Sequence, residues 1–279
     1  MAWTDENSWL TWLFAPSWTV ILLAFTICLA LPILDHVFNY TSRGSKSVVP
    51  TILLLGPSGS GKTSLISLLH RRSADPKTDE AASTRTSQEP ATVSLILPAS
   101  IPLGSNKYRS DNDMTLQHRE KDAVTYQMID TPGHGKLRQE HALAHIQKPG
   151  VRGIIFVADS SALDSSSPAV LQDTASFLHD TLLALQKRKT GKGSSKAKSE
   201  IPVLIAANKQ DLFTALPQGA VRERLQTEIE RVRVSRSKGL TTLLQDEYGI
   251  RVDILGGAVR GEEAGKGVRK WEEWIGSLL

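Results

Sequence analysis

The chain has 279 residues, of which 40% are hydrophobic and 22% charged, with a formal net charge of +4. This balance excludes a wholly disordered chain, a collagen and a polytopic membrane protein. A single cysteine excludes a disulfide framework and a zinc site built on several cysteines, and the mild positive charge is not by itself the footprint of a nucleic-acid binder.

Residues 1–9 form a short tail that carries Asp5 and Glu6 and no Lys or Arg. Residues 10–34 read LTWLFAPSWTVILLAFTICLALPIL, without a charge. As a helix this stretch would be about 37 Å long, against a hydrocarbon core of ~30 Å. One transmembrane helix is the expectation. Pro16 suits the helix start, and Pro32 lies near the other end, where a break costs little. Trp9, Trp12 and Trp18 on one side and Tyr40 on the other fit the two membrane interfaces. A cleaved signal peptide would want a positive N-terminal flank and a shorter apolar core. Here the positive residues, Arg43 and Lys46, follow the span, which places the C-terminal side in the cytosol and the tail in the lumen. The sequon Asn39-Tyr40-Thr41 then faces the cytosol and stays bare, and Cys28 reads as a small apolar residue in lipid.

A juxtamembrane linker over 35–47 leads into a folded domain over 48–279. Strands are predicted at 51–55, 92–97, 124–129, 153–158, 202–207 and 251–255. Most are short, β-branched and nearly continuous in hydrophobicity, as strands covered on both faces should be. Between them lie helical patterns at 64–70, at 169–186 and around Trp271, Trp274, Ile275 and Leu278. The expected fold class is α/β, a mostly parallel six-stranded sheet flanked by helices. Two insertions interrupt it: a polar one at about 105–122, read as a long hairpin loop, and a basic one at about 187–199 containing KRKTGKGSSKAK. The basic segment suits a solvated loop, or attraction to anionic lipid, ribosomal RNA or an acidic partner surface.

Gly56-Pro57-Ser58-Gly59-Ser60-Gly61-Lys62-Thr63 fits G-x-x-x-x-G-K-[ST] in full, between a strand and a helix. Its glycines let the backbone N–H groups of Ser58, Gly59, Ser60, Gly61 and Ser64 curl around a phosphate, and the helix N-terminus adds positive potential. Lys62 would neutralise the β- and γ-phosphates and Thr63 would ligate Mg2+. Asp130, at a strand end, would hold Mg2+ through water. Gly133, three residues on, would give its N–H to a γ-phosphate. Among the hydroxyls before the second strand, Thr86 is the choice for the switch residue that closes on Mg2+, with Thr84 and Thr92 as rivals. Asn208-Lys209-Gln210-Asp211 fits N-K-x-D. The Asp211 carboxylate would accept two hydrogen bonds from guanine's N1–H and exocyclic amine, Lys209 would pack along the base, and Asn208 would brace the loops. The backbone at Ala258, after the sixth strand, could meet the guanine carbonyl. His134 is the candidate to orient a water behind the γ-phosphate.

In this order and spacing the motifs resemble the Ras-like small GTPases, a superfamily that includes the Arf/Sar group. His134, Leu137 and Arg138, the run Ile154-Ile155-Phe156-Val157-Ala158-Asp159-Ser160, Ala207–Leu212, the basic stretch 231–238 and Trp271-Glu272-Glu273-Trp274-Ile275 are similar to the beta subunits of the signal recognition particle receptor. The resemblance spans residues 10–279. Ala258-Val259-Arg260 stands where that family has a Ser-Ala-Lys-like stretch. The resemblance implies a P-loop GTPase domain and binding of GTP or GDP with Mg2+. It implies a single-pass endoplasmic reticulum protein with its N-terminus in the lumen and the GTPase domain in the cytosol. It further implies a GTP-dependent hold on the N-terminal domain of the receptor alpha subunit for co-translational targeting, next to translocon and ribosome, with no sequence-specific contact to nucleic acid. Turnover would be weak, the protein acting mainly as a nucleotide-gated binding switch. The alternatives are an Arf/Sar-like trafficking GTPase and an anchor that holds GTP without turnover.

Overall fold

The structure is a computed structural model that describes residues 18–42, 49–75, 81, 83–85, 87–98, 100–104, 124–164, 168–190, 200–236, 250–261 and 265–279. The chain divides into two units, Met1–Val48 and Val49–Leu279. In the first, helix α1 runs over Trp18–Ser42 with Pro32 inside it. Its described apolar side chains, among them Ile21, Leu22, Phe25, Leu29 and Ile33, are exposed. Several of its side chains are not described, and among the described residues no helix is long and apolar enough to cross a membrane. The crossing expected of residues 10–34 therefore rests on the sequence.

The second unit is an α/β sandwich of three layers. Its strands are β1 (Thr51–Leu55), β2 (Ala91–Ile96), β3 (Thr125–Asp130), β4 (Val151–Asp159), β5 (Val203–Asn208) and β6 (Val252–Gly256). Their order in the sheet is β2-β3-β1-β4-β5-β6. β2 pairs antiparallel with β3, from Ala91 opposite Asp130 to Ile96 opposite Thr125, and every other pairing is parallel. All six strands fall within two residues of their predicted places. The helices are α2 (Lys62–Ala74), the three-residue α3 (Ala144–Ile146), α4 (Pro168–Thr190), α5 (Gln218–Arg236) and α6 (Val268–Gly276).

Each face of the sheet carries its own core. On one face Leu53, Leu55, Phe156 and Ile205 meet Phe177 and Leu178 of α4 and Leu225 of α5. On the other, Ile52, Leu54, Ile155 and Val157 meet Leu65 and Leu68 of α2 and Trp271, Trp274 and Ile275 of α6. That double coverage is the reason TILLL reads as an unbroken apolar run. The indole of Trp271 donates to the Leu255 carbonyl at 3.2 Å and that of Trp274 to Asp253 at 2.8 Å, so both large rings are buried with their N–H groups satisfied. A buried ion pair, Arg72 to Glu272 at 2.9 Å, ties the end of α2 to α6. Beneath it Tyr126 is buried, and desolvation, helped by the Glu272 charge, pushes its phenol far above the ordinary range.

Two expectations change. The basic insertion begins later than 187, because Lys187, Arg188 and Lys189 form the last turn of α4, where cations complement the exposed carbonyls. Helix α5 was not among the predicted elements. Its apolar stripe, Val221, Leu225, Ile229 and Val232, is one residue wide in a charged sequence. The remainder of the basic insertion, 191–199, and the polar insertion at 105–122 lie outside the described residues.

Candidate nucleotide-binding site

Parallel strands present their C-terminal ends to one edge of the sheet, and ligands bind where the chain order reverses across that edge. Here the reversal lies at β1, with β3 on one side and β4 on the other. β1 delivers the P-loop there, β3 delivers Asp130, and β5 delivers Asn208.

The loop's shape depends on glycine at two points. Gly56 has φ +141°, and a Cβ there would lie 2.2 Å from the Val157 carbonyl oxygen. Gly61, at φ +99°, sits in the left-handed region at the N-cap of α2, and a Cβ would lie 2.3 Å from the Asn208 amide nitrogen. The Lys62 ammonium crosses the loop and donates to the carbonyls of Gly56 and Pro57, both at 2.8 Å. Burial pulls its pKa down to about 8. The Asp130 charge opposes that shift and the Arg138 charge adds to it.

Thr63 donates to Asp130 at 2.6 Å. Ser87 donates to the same carboxylate oxygen at 3.0 Å and lies 3.1 Å from the Thr63 hydroxyl. Sequence reasoning missed Ser87. It chose Thr86, which lies outside the described residues. Of the rivals, Thr84 reaches the Ser64 hydroxyl at 3.3 Å, whereas Thr92 is exposed on the edge strand β2. The other Asp130 oxygen is buried and has no hydrogen-bond partner. Among the described residues no group of three or more His, Cys, Asp or Glu could hold a metal. The donors gathered here are two hydroxyls and one carboxylate, which with ligand oxygens is the kind of set Mg2+ accepts.

Gly133 approaches the P-loop so closely that a Cβ would lie 2.5 Å from the Pro57 carbonyl carbon and from the Ser58 nitrogen. Thr131, fully buried, donates to the Leu54 carbonyl at 2.7 Å and fixes the turn that leads to it.

On the far side, Asn208 donates to the Ser60 carbonyl at 2.8 Å and accepts from the Val259 N–H at 3.1 Å. One side chain thus joins three loops. Lys209 is the one non-glycine residue with positive φ among those described, at 64°. Its ammonium pairs with Asp159 at the end of β4, and Asp159 also accepts from the N–H and hydroxyl of Ser161 at 3.0 and 2.6 Å. Asp211 lies against Gly261, where a Cβ would be 2.0 Å from its carboxylate.

These groups line a cleft of about 420 Å³ whose walls include Ser58, Gly59, Gly61, Lys62, Thr63 and Ser64 at one end and Asn208, Lys209 and Asp211 at the other. Thr131, Gly133, Ser87, Val259, Arg260 and Gly261 also face it, whereas Gly56, Ser60 and Asp130 stand behind the wall. Ala258 stays outside too. It is buried, and its N–H is spent on the Lys266 carbonyl at 2.8 Å, so the sixth-strand loop meets the cleft through residues 259–261. His134 does not reach the cleft. It is exposed and lines a neighbouring hollow of about 690 Å³ with Ser87, Glu89, Leu137 and His141. Arg138 is also held away, its guanidinium bonded to the Gly133 carbonyl at 2.9 Å and to Asp173 at 2.8 and 2.6 Å.

Residues 47–255 match the family model described as signal recognition particle receptor beta subunit. The beta subunit of that receptor from Saccharomyces cerevisiae is 29% identical over 92% of this chain and 96% of its own length. The Chaetomium thermophilum structure of the SRb-GTP/SRX complex superposes with a TM-score of 0.65 at 37% identity, over 83% of this chain and 99% of that one. The SRb-GDP-Mg structure from the same organism superposes at 0.58 and 33% identity, with the same coverage of both chains. With its six-stranded, mostly parallel sheet and its phosphate loop on β1, the chain belongs to the signal recognition particle receptor beta subunit family of small GTPases.

Proposed function

We propose that this chain is the GTP-binding, membrane-anchored subunit of the signal recognition particle receptor, holding the N-terminal domain of the alpha subunit at the endoplasmic reticulum membrane while GTP is bound. The observation that carries the reading is the meeting of Lys62, Thr63 and Gly133 with Asn208 and Asp211 around one cleft. The relatives support it: the fungal chain it resembles is described with GTP and SRX in one structure and with GDP and Mg in another. Anchoring is supported by the uncharged run 10–34 and by the outward apolar side chains of α1.

Each residue has a physical task in this reading. The P-loop N–H groups and the N-terminus of α2 receive the phosphates. Lys62 exchanges its two carbonyl partners for phosphate oxygens, a stronger charge-assisted bond. Thr63, Ser87 and Asp130, already within hydrogen-bond reach of one another, hold Mg2+, with Asp130 acting through water. Bound there, Mg2+ would offset the charge that gathers on the β- and γ-oxygens. Gly133, seated on the P-loop, gives its N–H to the γ-phosphate, so its position reports the nucleotide state. Asp211 reads guanine, which rejects adenine because adenine lacks the matching donor pair. The loop at 259–261 takes the place first assigned to Ala258.

His134 orients water only if its side chain turns from the neighbouring hollow toward the γ-phosphate. Turnover by this chain alone is therefore slow, on the order of 10⁻⁴–10⁻² s⁻¹. That placement favours a second reading, an anchor that holds GTP without turnover. A single-turnover assay separates them, since no phosphate release over a day selects the second.

The test of the main reading loads the full chain, in detergent micelles, with GTP, GDP or nothing and measures binding to the N-terminal domain of the alpha subunit. Tight binding with GTP alone is expected. No binding in any state, with GTP present on the protein, would sink the receptor assignment and leave a membrane-anchored GTPase with another effector.

A further inference from the structure

Arg138 does more than close a turn. It stands where a 3-10 turn, Gly135–Leu137, passes into a single π-helical turn, Gln139–Leu143. Single π-turns are rare and frequently mark functional sites. All three donor nitrogens of its guanidinium are used: Nε on the Gly133 carbonyl at 2.9 Å, Nη1 and Nη2 on the two Asp173 oxygens at 2.8 and 2.6 Å. Its flat face lies over the Phe177 ring at 4.4 Å. Phe177 in turn packs edge-on against Phe156, with centroids 5.4 Å apart. Phe156 sits beside Leu55, the residue that leads into the P-loop. Gly133 is thus gripped from two sides, by the P-loop backbone on one and by an arginine anchored on α4 on the other.

We propose that Arg138 is a positioning residue that holds Gly133 at the height where its N–H meets the γ-phosphate, and that Asp173 and Phe177 make α4 the fixed support for that grip. The inference rests on the GTP-binding reading above and goes beyond it. It assigns the preference for GTP over GDP in part to a contact with α4, outside the nucleotide cleft. A fork of parallel N–H bonds with a stacked face suits arginine and cannot be reproduced by lysine. Because GDP has no γ-phosphate, loosening Gly133 weakens GTP binding and leaves GDP binding alone.

The experiment measures GTP and GDP affinities of the full chain in Mg2+ for wild type, R138K and D173N, with thermal unfolding of each nucleotide-free protein alongside. R138K is expected to lose about tenfold in GTP affinity and to stay within about twofold for GDP. D173N, which leaves the arginine in place and takes away the charge and one of the two acceptor oxygens, moves the same way by a smaller factor and serves should R138K fail to fold. Equal losses for both nucleotides, following the loss in unfolding temperature, would mean that Arg138 only stabilises the fold and would overturn the proposal. Unchanged affinities would overturn it as well. A wild type that binds neither nucleotide would overturn the reading beneath it, and the proposal with it.

Discussion

Replacing Asn208 with alanine should loosen the nucleotide-free fold by an amount that follows from its two bonds. The side chain is buried, with 3% of its surface exposed. Its amide nitrogen serves the Ser60 carbonyl at 2.8 Å and its oxygen serves the Val259 N–H at 3.1 Å. Alanine leaves both backbone groups without this partner. An orphaned buried polar group costs about 1–3 kcal/mol, so the pair amounts to roughly 2–5 kcal/mol once partial relaxation is allowed. That is a large share of the ~5–15 kcal/mol that holds a domain together. With a urea slope of about 2 kcal/mol/M, the unfolding midpoint should fall by roughly 1–2.5 M at unchanged slope. N208D keeps an acceptor for Val259 but turns a second acceptor toward the Ser60 carbonyl, so it should fall at least as far. Equilibrium urea unfolding followed by tryptophan fluorescence reads both variants. A midpoint for N208A within ~0.2 M of wild type would refute the idea that this side chain ties the three loops together.

Other consequences can be checked with equal directness. Lys62, lowered to about 8 by burial, binds fewer protons in the folded state than in the unfolded state between about pH 8 and its ordinary value of 10.5. Its share of the nucleotide-free stability therefore rises with pH across that window. Phosphate restores the charge, so nucleotide binding at pH 8.5 should take up a fraction of a proton that is absent at pH 6.5, as titration calorimetry in two buffers of different ionisation heat would register. E272A leaves Arg72 buried without that carboxylate and should cost about 3–5 kcal/mol in urea unfolding. S87A should weaken the tightening of GTP binding by Mg2+ several-fold while leaving the Mg2+-free affinity within about twofold, in a fluorescent-nucleotide titration.

What the sequence makes legible is local. The inner strands announce themselves because both faces are covered, so no polar alternation hides them; β1 is buried at all five positions, whereas the edge strand β2 is largely exposed. The P-loop, Asp130 and Asn208–Asp211 are contiguous patterns attached to strand ends, and the sheet brings them to one edge. The losses are of another kind. Ser87 earns its place by reaching across 43 positions to Asp130, and one hydroxyl in a hydroxyl-rich loop carries no mark of that. Asp159 meets Lys209 across 50 positions, and Arg138 meets Asp173 across 35. His134 follows Gly133 in the chain, yet its side chain turns to the neighbouring hollow. Charge dominates the composition of helix α5 and hides it, although Val221, Leu225 and Ile229 recur every four residues.

The buried pair between Arg72 and Glu272 sets an order on how the molecule can be made. Its partners stand 200 positions apart, and α2, which begins at the phosphate loop, leans on a wall that includes Trp271 and Trp274. A chain emerging N-terminus first displays its complete phosphate motif early, when that wall does not yet exist. The part of the sheet's second face that Trp271, Trp274 and Ile275 cover stays bare until synthesis passes residue 275. A chain cut short before α6 would carry every motif, yet Ile52 and Leu54 of β1 and Leu65 and Leu68 of α2 would lack the part of their packing that Trp271, Trp274 and Ile275 supply.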